Sequence, residues 1–375
     1  MKTQPLKILV IGAGGIGGVT ASRITKAGYD VEVVDCLPGL AEKIQTQGLH
    51  VFGHGPNFHQ KIRAYSSIEE INEPKDIVFI ATKANSLPAI ECLIPTILKK
   101  DSVIVSLQNG ICEEELGKIF GEEQVIGCVV GFGATVHEPG NLEMTSGGAF
   151  VIGKIGKKEP NHFNDVFEIL STVTKTKTTD NIFGYLFSKL IINSCITTMG
   201  AISGVTLGKM LSQQKYREIF ISVVREAVTV ARAQGVGLEK YGGKINFYKF
   251  ADKNSPLAKL KQHLLLAFVG FKYRKLKSSG LQSLETGRPT ETDYLNGYLA
   301  KKALESHVDV PLNNFLINLI KEIECGVRSI SEENFDQPFF RDYTTIDSNQ
   351  SSFQFKKQIS EFISQKTHNL TFRIG

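Results

Sequence analysis

The pattern of apolar and polar positions changes character about halfway along the chain. In the first half, short apolar runs alternate with amphipathic stretches, and each run has the length and composition of a strand buried on both faces. These runs lie at residues 7–11, 31–34, 76–81, 103–107 and 124–130. Strands that alternate with helices predict an α/β domain with a doubly wound, mostly parallel sheet.

Beyond about residue 180, apolar residues recur with the period of a helix rather than that of a strand. The predicted helical segments are residues 182–197, 216–233, 257–277 and 291–307. No fixed repeat relates these segments to one another. We therefore expect the second half of the chain to form an all-α domain.

These patterns divide the chain into three parts. We expect a dinucleotide-binding domain over residues 1–180, a helical substrate domain over 181–330 and an extension over 331–375. The boundary near 180 rests on a polar stretch rich in Thr and Lys, residues 172–180. The extension is polar and aromatic, and its last part, residues 355–363, has the pattern of a short amphipathic helix.

A glycine-rich loop follows the first strand directly and leads into a helix. It consists of Gly12, Ala13, Gly14, Gly15, Ile16 and Gly17. A GxGxxG motif is specific only in this strand–loop–helix–strand context, where the first glycine makes a tight turn, the second admits the pyrophosphate and the third lets helix and strand pack closely. The helix N-terminus would then bind the phosphates through its unpaired N–H groups. The loop predicts a nicotinamide dinucleotide site.

Asp35 ends the second predicted strand, eighteen residues after Gly17. A carboxylate at that place accepts hydrogen bonds from the ribose hydroxyls and repels a 2′-phosphate, so Asp35 favours NAD(H) over NADP(H). The alternative is an Asp that only begins the turn before Pro38.

Composition narrows the class of protein without identifying it. The 375 residues carry a net charge of +5, a weak bias with no long basic stripe, so we expect no nucleic-acid partner. The six cysteines form no CxxC pair and no metal-ligand spacing with His, which predicts reduced thiols, a cytoplasmic location and no metal site. No signal peptide is recognisable, and no apolar stretch is long enough to predict a membrane span.

Five further segments, read with the glycine loop, resemble the ketopantoate reductase (2-dehydropantoate 2-reductase) family. They are residues 81–84 (Ala-Thr-Lys-Ala), 106–110 (Ser-Leu-Gln-Asn-Gly), 133–140 (Gly-Ala-Thr-Val-His-Glu-Pro-Gly), 189–193 (Lys-Leu-Ile-Ile-Asn) and 287–297 (Gly-Arg-Pro-Thr-Glu-Thr-Asp-Tyr-Leu-Asn-Gly). The last is the most specific. The resemblance implies a Rossmann domain followed by a 6-phosphogluconate-dehydrogenase-like helical domain. It also implies NADPH-dependent reduction of a 2-oxo acid in pantothenate biosynthesis.

The resemblance also assigns roles to individual residues. It implies that Lys189 is the general acid and that Glu291 orients the lysine and the substrate hydroxyl. Asn193, Asn109 and Ser279 match substrate-binding residues. Lys83, Asn109 and Ala134 match positions that line the cofactor.

The proposed acid is chemically sensible, because hydride addition to a ketone leaves an alkoxide that needs a proton and a nearby positive charge. Burial in a cleft can lower the pKa of a lysine towards the working range. Each residue also has a structural interpretation. A lone lysine is usually solvated, Asn109-Gly110 alone would indicate a turn, and Glu291 could be a helix-start acid behind Thr290.

Four positions depart from the family pattern. They are Thr197 and Gly280, where the family has Asn and Met, and Leu276 and Ser283, where it has Asn and Asp. Loss of polar partners for substrate hydroxyls weakens discrimination. We therefore expect the reaction type to be kept and ketopantoate or a related 2-oxo acid to be the substrate.

Two other functions compete with this interpretation. One is another two-domain dehydrogenase of the opine or polyol-phosphate type, and the other is an NAD(H)-sensing protein without turnover. The 189–193 and 287–297 segments argue against the first, and the presence of both Lys189 and Glu291 argues against the second. A homodimer and a small-molecule substrate are the expected partners, with no membrane.

Overall fold

The computed structural model describes residues 5–252 and 255–347, which fall into two compact units. The first unit holds the residues up to Leu190 together with Val236–Gly243. The second holds Ile191–Gly235 and the residues from Lys244 onward. Every strand that the structure describes belongs to the first unit.

Twelve strands are described in the first unit. In chain order they are Lys7–Ile11 (β1), Asp30–Val34 (β2), Leu49–Gly53 (β3), Phe58–Gln60 (β4), Arg63–Tyr65 (β5), Lys75–Ile80 (β6), Leu98–Ser106 (β7), Val125–Val130 (β8), Gly133–Glu138 (β9), Asn141–Ser146 (β10), Phe150–Lys154 (β11) and Thr176–Thr178 (β12). Eight of them form one sheet in the order β12-β11-β8-β7-β6-β1-β2-β5, and the other four form a second sheet in the order β4-β3-β10-β9.

The larger sheet confirms the predicted α/β class. Neighbouring strands are parallel except for the antiparallel pair β8–β11. Strand β1 lies between β2 and β6, and its last residue, Ile11, pairs with Val34 on one side and Ile80 on the other. All five predicted strands are present, and β1 is buried from Ile8 onward because helices cover both faces of such a sheet.

The segment 172–180, which the sequence suggested as a boundary, contains β12 at the edge of the larger sheet. Here tertiary pairing overrides a polar composition, since an edge strand tolerates exposed Thr and Lys side chains. The second sheet, with its β3–β10 parallel pair, was not predicted from the sequence.

Fourteen α-helices are described. They are Gly15–Lys26 (α1), Leu40–Thr46 (α2), Leu87–Ile90 (α3), Glu113–Phe120 (α4), Phe163–Val173 (α5), Ile182–Ser203 (α6), Leu207–Ser212 (α7), Gln214–Ala233 (α8), Phe247–Ala251 (α9), Pro256–Lys272 (α10), Ser279–Glu285 (α11), Asn296–Glu305 (α12), Pro311–Glu324 (α13) and Pro338–Asp347 (α14). From Ile191 onward the described chain has helices and no strand, which confirms the predicted helical second half.

Two of the predicted helices are shorter than their patterns. Helix α10 ends at Lys272, and a second helix begins only at Ser279, capped by the Ser278 hydroxyl that accepts the N–H of Leu281. Likewise Glu291 precedes a single 3₁₀ turn, Thr292–Tyr294, and α12 begins only at Asn296. Apolar periodicity alone misses such breaks because it carries no information on capping.

By length and composition, helix α6 is long and apolar enough to cross a membrane. This differs from the sequence prediction, in which no apolar stretch was long enough for a membrane span. It has 22 residues, and 67% of its most apolar 18-residue window is buried inside the protein. Most of this window is therefore packed against the rest of the protein. No other helix in the described ranges passes the same test.

The first part of the C-terminal extension is folded onto the second unit. A 3₁₀ turn, Glu332–Phe335, leads into α14, where Phe339 and Phe340 are buried. The Phe339 ring is tilted against Phe315, and the Phe340 ring meets it edge-on. The amphipathic pattern at residues 355–363 lies outside the described residues. All six cysteines are free, and three of them, Cys36, Cys92 and Cys325, are exposed.

Candidate active site

The glycine loop between β1 and α1 leaves no room for side chains at its first and last glycines. Gly12 has a φ of +100°, and a Cβ atom there would lie 2.9 Å from the backbone of Ala81 and Thr82. A Cβ at Gly17 would lie 2.0 Å from the Gly12 carbonyl oxygen. Both distances are shorter than atoms tolerate, so the close approach of loop, helix and neighbouring strand requires glycine at both positions.

The middle of the loop is open in the way that a pyrophosphate requires. A Cβ atom at Gly14 would meet nothing within 4 Å. Gly14 is also the N-cap of α1, where no side chain bonds to the first-turn N–H groups and no acidic residue lies in the first turn. Gly15 and Ile16 are half-buried. The helix end therefore offers backbone donors and a positive dipole to a phosphate, and these residues fit a dinucleotide.

Asp35 lies directly beside this loop. Its Oδ2 accepts the N–H of Ala13 at 2.7 Å, and its Oδ1 accepts the N–H of Leu37 at 2.9 Å. These two bonds set the direction of the carboxylate. Because a carboxylate has about four acceptor sites, both oxygens keep capacity for ribose hydroxyls. The bond from Leu37 shows that Asp35 also holds the turn, and this role leaves its oxygens able to accept further hydrogen bonds.

Three further predicted residues lie on segments that converge on the loop. Gln108 Nε2 donates to the Lys83 carbonyl oxygen at 3.3 Å, which ties the Asn109 segment to the Lys83 segment. A Cβ at Gly15 would lie 3.1 Å from the backbone of Ala134. The carboxyl ends of β1, β6 and β7 therefore gather the glycine loop and the Lys83 and Asn109 segments at one edge of the larger sheet, where ligands bind in open α/β sheets. Ala134, on β9 of the second sheet, lies beside the loop.

Lys189 is the one charged residue in α6. Its neighbours Ser188 and Leu190 are buried, while Lys189 itself is half-buried. Asn193 follows one turn later on the same helix and is also half-buried, so the two side chains share a helix face. By contact, Lys189 belongs to the first unit, which also contains the glycine loop.

Glu113, which the sequence analysis did not single out, lies close to Lys189 in the first unit. Its carboxyl is buried at 1% exposure, and its Oε1 accepts the N–H of Cys128 at 3.4 Å. Burial raises the pKa of Glu113 to about 7, an effect that the Lys189 ammonium partly opposes. Burial likewise raises the pKa of the Cys128 thiol. In the sequence, Glu113 looks like the first of three ordinary helix-start acids, so only its burial distinguishes it.

The remaining predicted residues belong to the second unit. Glu291 is buried at 3% exposure, and Ser279 is the half-buried first residue of α11. Thr290 caps no α-helix after Glu291, although its hydroxyl accepts the N–H of Thr292 at 3.3 Å, at the start of the 3₁₀ turn. Its hydroxyl donates to Glu324, and its backbone N–H bonds to the same carboxylate at 2.8 Å. Glu291 is therefore held in a tight, buried turn.

The departures from the family pattern are coupled by packing in the second unit. A Cβ at Gly280 would lie 2.8 Å from the Thr197 carbonyl oxygen, and the Ser278 hydroxyl donates to that same oxygen at 3.2 Å. The Ser283 hydroxyl donates to the Ser279 carbonyl at 3.0 Å. Helix α11 thus lies against α6 too closely for a large side chain at 280. Leu276 is exposed before α11.

Two family models match the chain in the order of its two halves. The ketopantoate reductase PanE/ApbA model matches residues 8–157, and the ketopantoate reductase PanE/ApbA C-terminal model matches residues 181–324. The chain belongs to the ketopantoate reductase family. The family membership predicted from the sequence is confirmed, and the chain is an NAD(P)-dependent oxidoreductase.

Relatives and solved structures agree with this membership along most of the chain. A 2-dehydropantoate 2-reductase of Pyrococcus horikoshii is 29% identical over 320 residues, 85% of this chain and 98% of the relative. One from Bacillus subtilis is 26% identical over 87% of this chain and 100% of the relative.

Two solved structures share the fold, each with a TM-score of 0.73 over 86% of this chain and 99% of the other. They are a Ralstonia eutropha ketopantoate reductase at 23% identity and a D-mandelate dehydrogenase, in complex with NADH and anilino(oxo)acetate, at 20% identity.

Proposed function

We propose that this ketopantoate reductase family member reduces a 2-oxo acid, ketopantoate or a relative of it, to the 2-hydroxy acid. When bound, the nicotinamide cofactor supplies the hydride. Lys189 donates the proton to the developing alkoxide. The observation that carries this proposal is Lys189, the single charged residue of the apolar helix α6, in the part of that helix that belongs to the unit with the glycine loop. The names of the relatives, 2-dehydropantoate 2-reductases, support the substrate class.

A screen of 2-oxo acids tests the proposal directly. Ketopantoate, pyruvate, phenylglyoxylate and branched-chain 2-oxo acids would each be offered with NADH and with NADPH while the cofactor absorbance is followed. We expect turnover with at least one of them. Gly280 and Thr197 replace the family's larger Met and Asn side chains. Turnover of an acid other than ketopantoate would therefore show that these replacements change the substrate. Cofactor binding without turnover on any 2-oxo acid would favour the sensor hypothesis.

The other predicted residues have proposed supporting roles. Asn193, Asn109 and Ser279 bind the substrate, and Glu291 orients its hydroxyl and the Lys189 ammonium. Lys83, Asn109 and Ala134 line the cofactor beside the loop. The convergence of the loop, Lys83 and Ala134 segments supports the cofactor roles.

We further propose that the cofactor is NADH, against the NADPH habit of the family. Asp35 presents a negative carboxylate beside the loop, fixed there by the N–H of Ala13. A 2′-phosphate at that place would meet like charge. A D-mandelate dehydrogenase of the same fold binds NADH, so the fold is compatible with this choice.

Replacing Asp35 with asparagine is expected to lower the ratio of kcat/KM for NADH to that for NADPH by about tenfold, since a charge-assisted hydrogen bond and a repulsion are both removed. Steady-state kinetics with both cofactors measure the ratio. Asp30→Asn serves as the control and should leave the ratio unchanged, because Asp30 is an exposed carboxylate at the start of β2, the strand before Asp35, and pairs with Arg63. A wild-type preference for NADPH would contradict the assignment.

Glu113 is expected to keep Lys189 protonated up to a higher pH than in a variant without this carboxyl. An ionised carboxyl nearby stabilises the charged lysine, so Glu113→Gln should move the alkaline limb of the kcat/KM profile to lower pH by about one unit. Glu115→Gln on the same helix is the matched control. A profile that does not move in the Glu113 variant would show that this carboxyl has no influence on the acid.

The assembly and location are also proposals. We propose a homodimer in the cytoplasm. In each chain, residues 1–180 form the dinucleotide-binding domain, residues 181–330 form the helical substrate domain, and residues 331–375 form an extension. The apolar, buried α6 supports a soluble protein. Size measurements of the intact chain test the dimer.

A further inference from the structure

The accessible face of helix α6 has a polar end and an apolar end. From Lys189 to the last residue of the helix, Ser203, every residue is buried except Lys189, Asn193 and Ile196, which are half-buried. At about 100° per residue, these three side chains fall within roughly 60° of one another. They form one stripe along the helix, and we call these three residues the α6 stripe. In order, the stripe presents an ammonium group, an amide and a branched hydrocarbon side chain.

The apolar end of the stripe lies beside a position where the family has a polar side chain. Ile196 is about 4.5 Å further along the helix axis than Asn193. The next residue, Thr197, stands where the family has asparagine, and it is only 6% exposed. A Cβ atom at Gly280 would lie 3.0 Å from the Thr197 Cγ2 atom, so this methyl group is turned towards α11. The position therefore supplies a packed methyl group in place of an amide.

Ser283 on α11 does not replace the carboxylate that the family has at its position. It is 6% exposed, and its hydroxyl donates to the Ser279 carbonyl oxygen at 3.0 Å, one turn back on the same helix. A serine hydroxyl has one proton to donate, and here that proton is used within α11. Ser283 therefore presents no donor to a substrate.

We infer that the substrate is a 2-oxo acid whose side chain is apolar and carries no hydroxyl group. This inference rests on the proposed reduction and names the substrate class for it. Lys189 and Asn193 meet the reacting end of the acid. Ile196 and the Thr197 methyl group meet its side chain, which gains from apolar contact. A side-chain hydroxyl at this place would lose its water and find no partner of the kind that the family provides, which lowers affinity.

The test compares two substrates that differ by a single oxygen atom. 3,3-Dimethyl-2-oxobutanoate is ketopantoate with its side-chain hydroxyl replaced by hydrogen. With NADH and with NADPH, we expect its kcat/KM to exceed that of ketopantoate by about ten- to hundredfold, which is the most that an apolar pocket discriminates against an added hydroxyl. A site built to bind the hydroxyl would instead reject the acid that lacks it by about 10⁴-fold. The direction of the preference separates the two kinds of site.

Two substitutions should move the preference towards ketopantoate. Thr197→Asn and Ile196→Asn each place an amide at the apolar end of the stripe, where it can accept a hydrogen bond from the substrate hydroxyl. Each should lower the ratio of the two kcat/KM values by about tenfold, the effect of one hydrogen bond. Thr229→Asn is the matched control, because Thr229 is exposed on α8 and its hydroxyl donates to the Arg225 carbonyl oxygen. Its ratio should equal that of the wild type.

The wild-type ratio does not depend on how any variant folds. A higher kcat/KM for ketopantoate than for 3,3-dimethyl-2-oxobutanoate would overturn this inference and leave the proposed reduction intact. An unchanged ratio in both active asparagine variants would also overturn it, because the stripe would then not contact the substrate side chain. Turnover of no 2-oxo acid at all would overturn the proposed reduction, and this inference with it.

Discussion

Replacing Lys189 with alanine is expected to lower kcat by about a thousandfold while NADH still binds. A positioned general acid contributes roughly 10²–10⁴ to the rate, and no other charge on α6 can replace this one. Cofactor affinity should change little, because the proposed dinucleotide site is formed by the glycine loop and Asp35. Stopped-flow oxidation of NADH and fluorescence titration of the cofactor separate the two effects.

A second substitution distinguishes proton donation by Lys189 from the effect of its positive charge. Lys189→Arg keeps a cation but cannot give up its proton near neutral pH, so it should be nearly as slow as the alanine variant if proton donation is the role. A primary amine added to Lys189→Ala should restore part of the rate. Lys302→Ala, a half-buried lysine paired with Glu305, is the control and should remain active. Turnover at the wild-type rate in Lys189→Ala would remove Lys189 from the mechanism.

Replacing Glu226 with leucine is expected to destabilise the second unit by about 3–5 kcal/mol, because four buried hydrogen-bond donors lose their acceptor. The Glu226 carboxylate accepts the N–H groups of Leu312 and Asn313 at 2.8 and 2.9 Å, which begin α13. It also accepts the Asn313 side-chain amide and the Tyr343 hydroxyl, at 2.7 and 2.6 Å. Urea unfolding measures the loss. Tyr343→Phe removes one donor only and should cost about 1 kcal/mol.

This network continues to the helix that carries Lys189. The Asn313 side-chain oxygen accepts from Asn296, whose amide also donates to the Ser194 carbonyl oxygen on α6. Asn296 bonds in turn with the Thr198 hydroxyl. The C-terminal extension therefore contributes through Tyr343 to the support of α6. A Glu226→Leu variant as stable as wild type would contradict this account.

The stability of the second unit should also depend on pH. Burial raises the pKa of Glu226 to about 7, against an ordinary value near 4.5, although its four donors oppose the shift. The folded state therefore binds this proton more tightly than the unfolded chain. Its contribution is fully present below about pH 4.5 and is lost as pH rises through 7. Glu226→Gln should flatten that part of the curve, while Glu218→Gln on the same helix should not.

Local patterns predicted the parts of the fold that depend on neighbouring residues. Strand β1, the glycine loop and α1 are contiguous in sequence, and their apolar run, tight turn and helix start each have a local physical cause. The same holds for the long helices α6 and α8. The edge strand β12 and the second sheet were not predicted, because their strands are short and owe their form to pairing partners elsewhere in the chain.

The features of the candidate site fall into the same two groups: those that the local sequence predicts and those that only the tertiary structure shows. The sequence alone determined the nicotinamide-binding unit, the helical second half and Lys189 as an anomalous charge in an apolar helix. Only the tertiary structure decided that Asp35 binds the loop through Ala13, that Glu113 is buried near Lys189 and that Tyr343 completes the Glu226 network. The reason is that burial and hydrogen bonding between distant residues depend on which surfaces meet. A local pattern of apolar and polar positions carries no record of that.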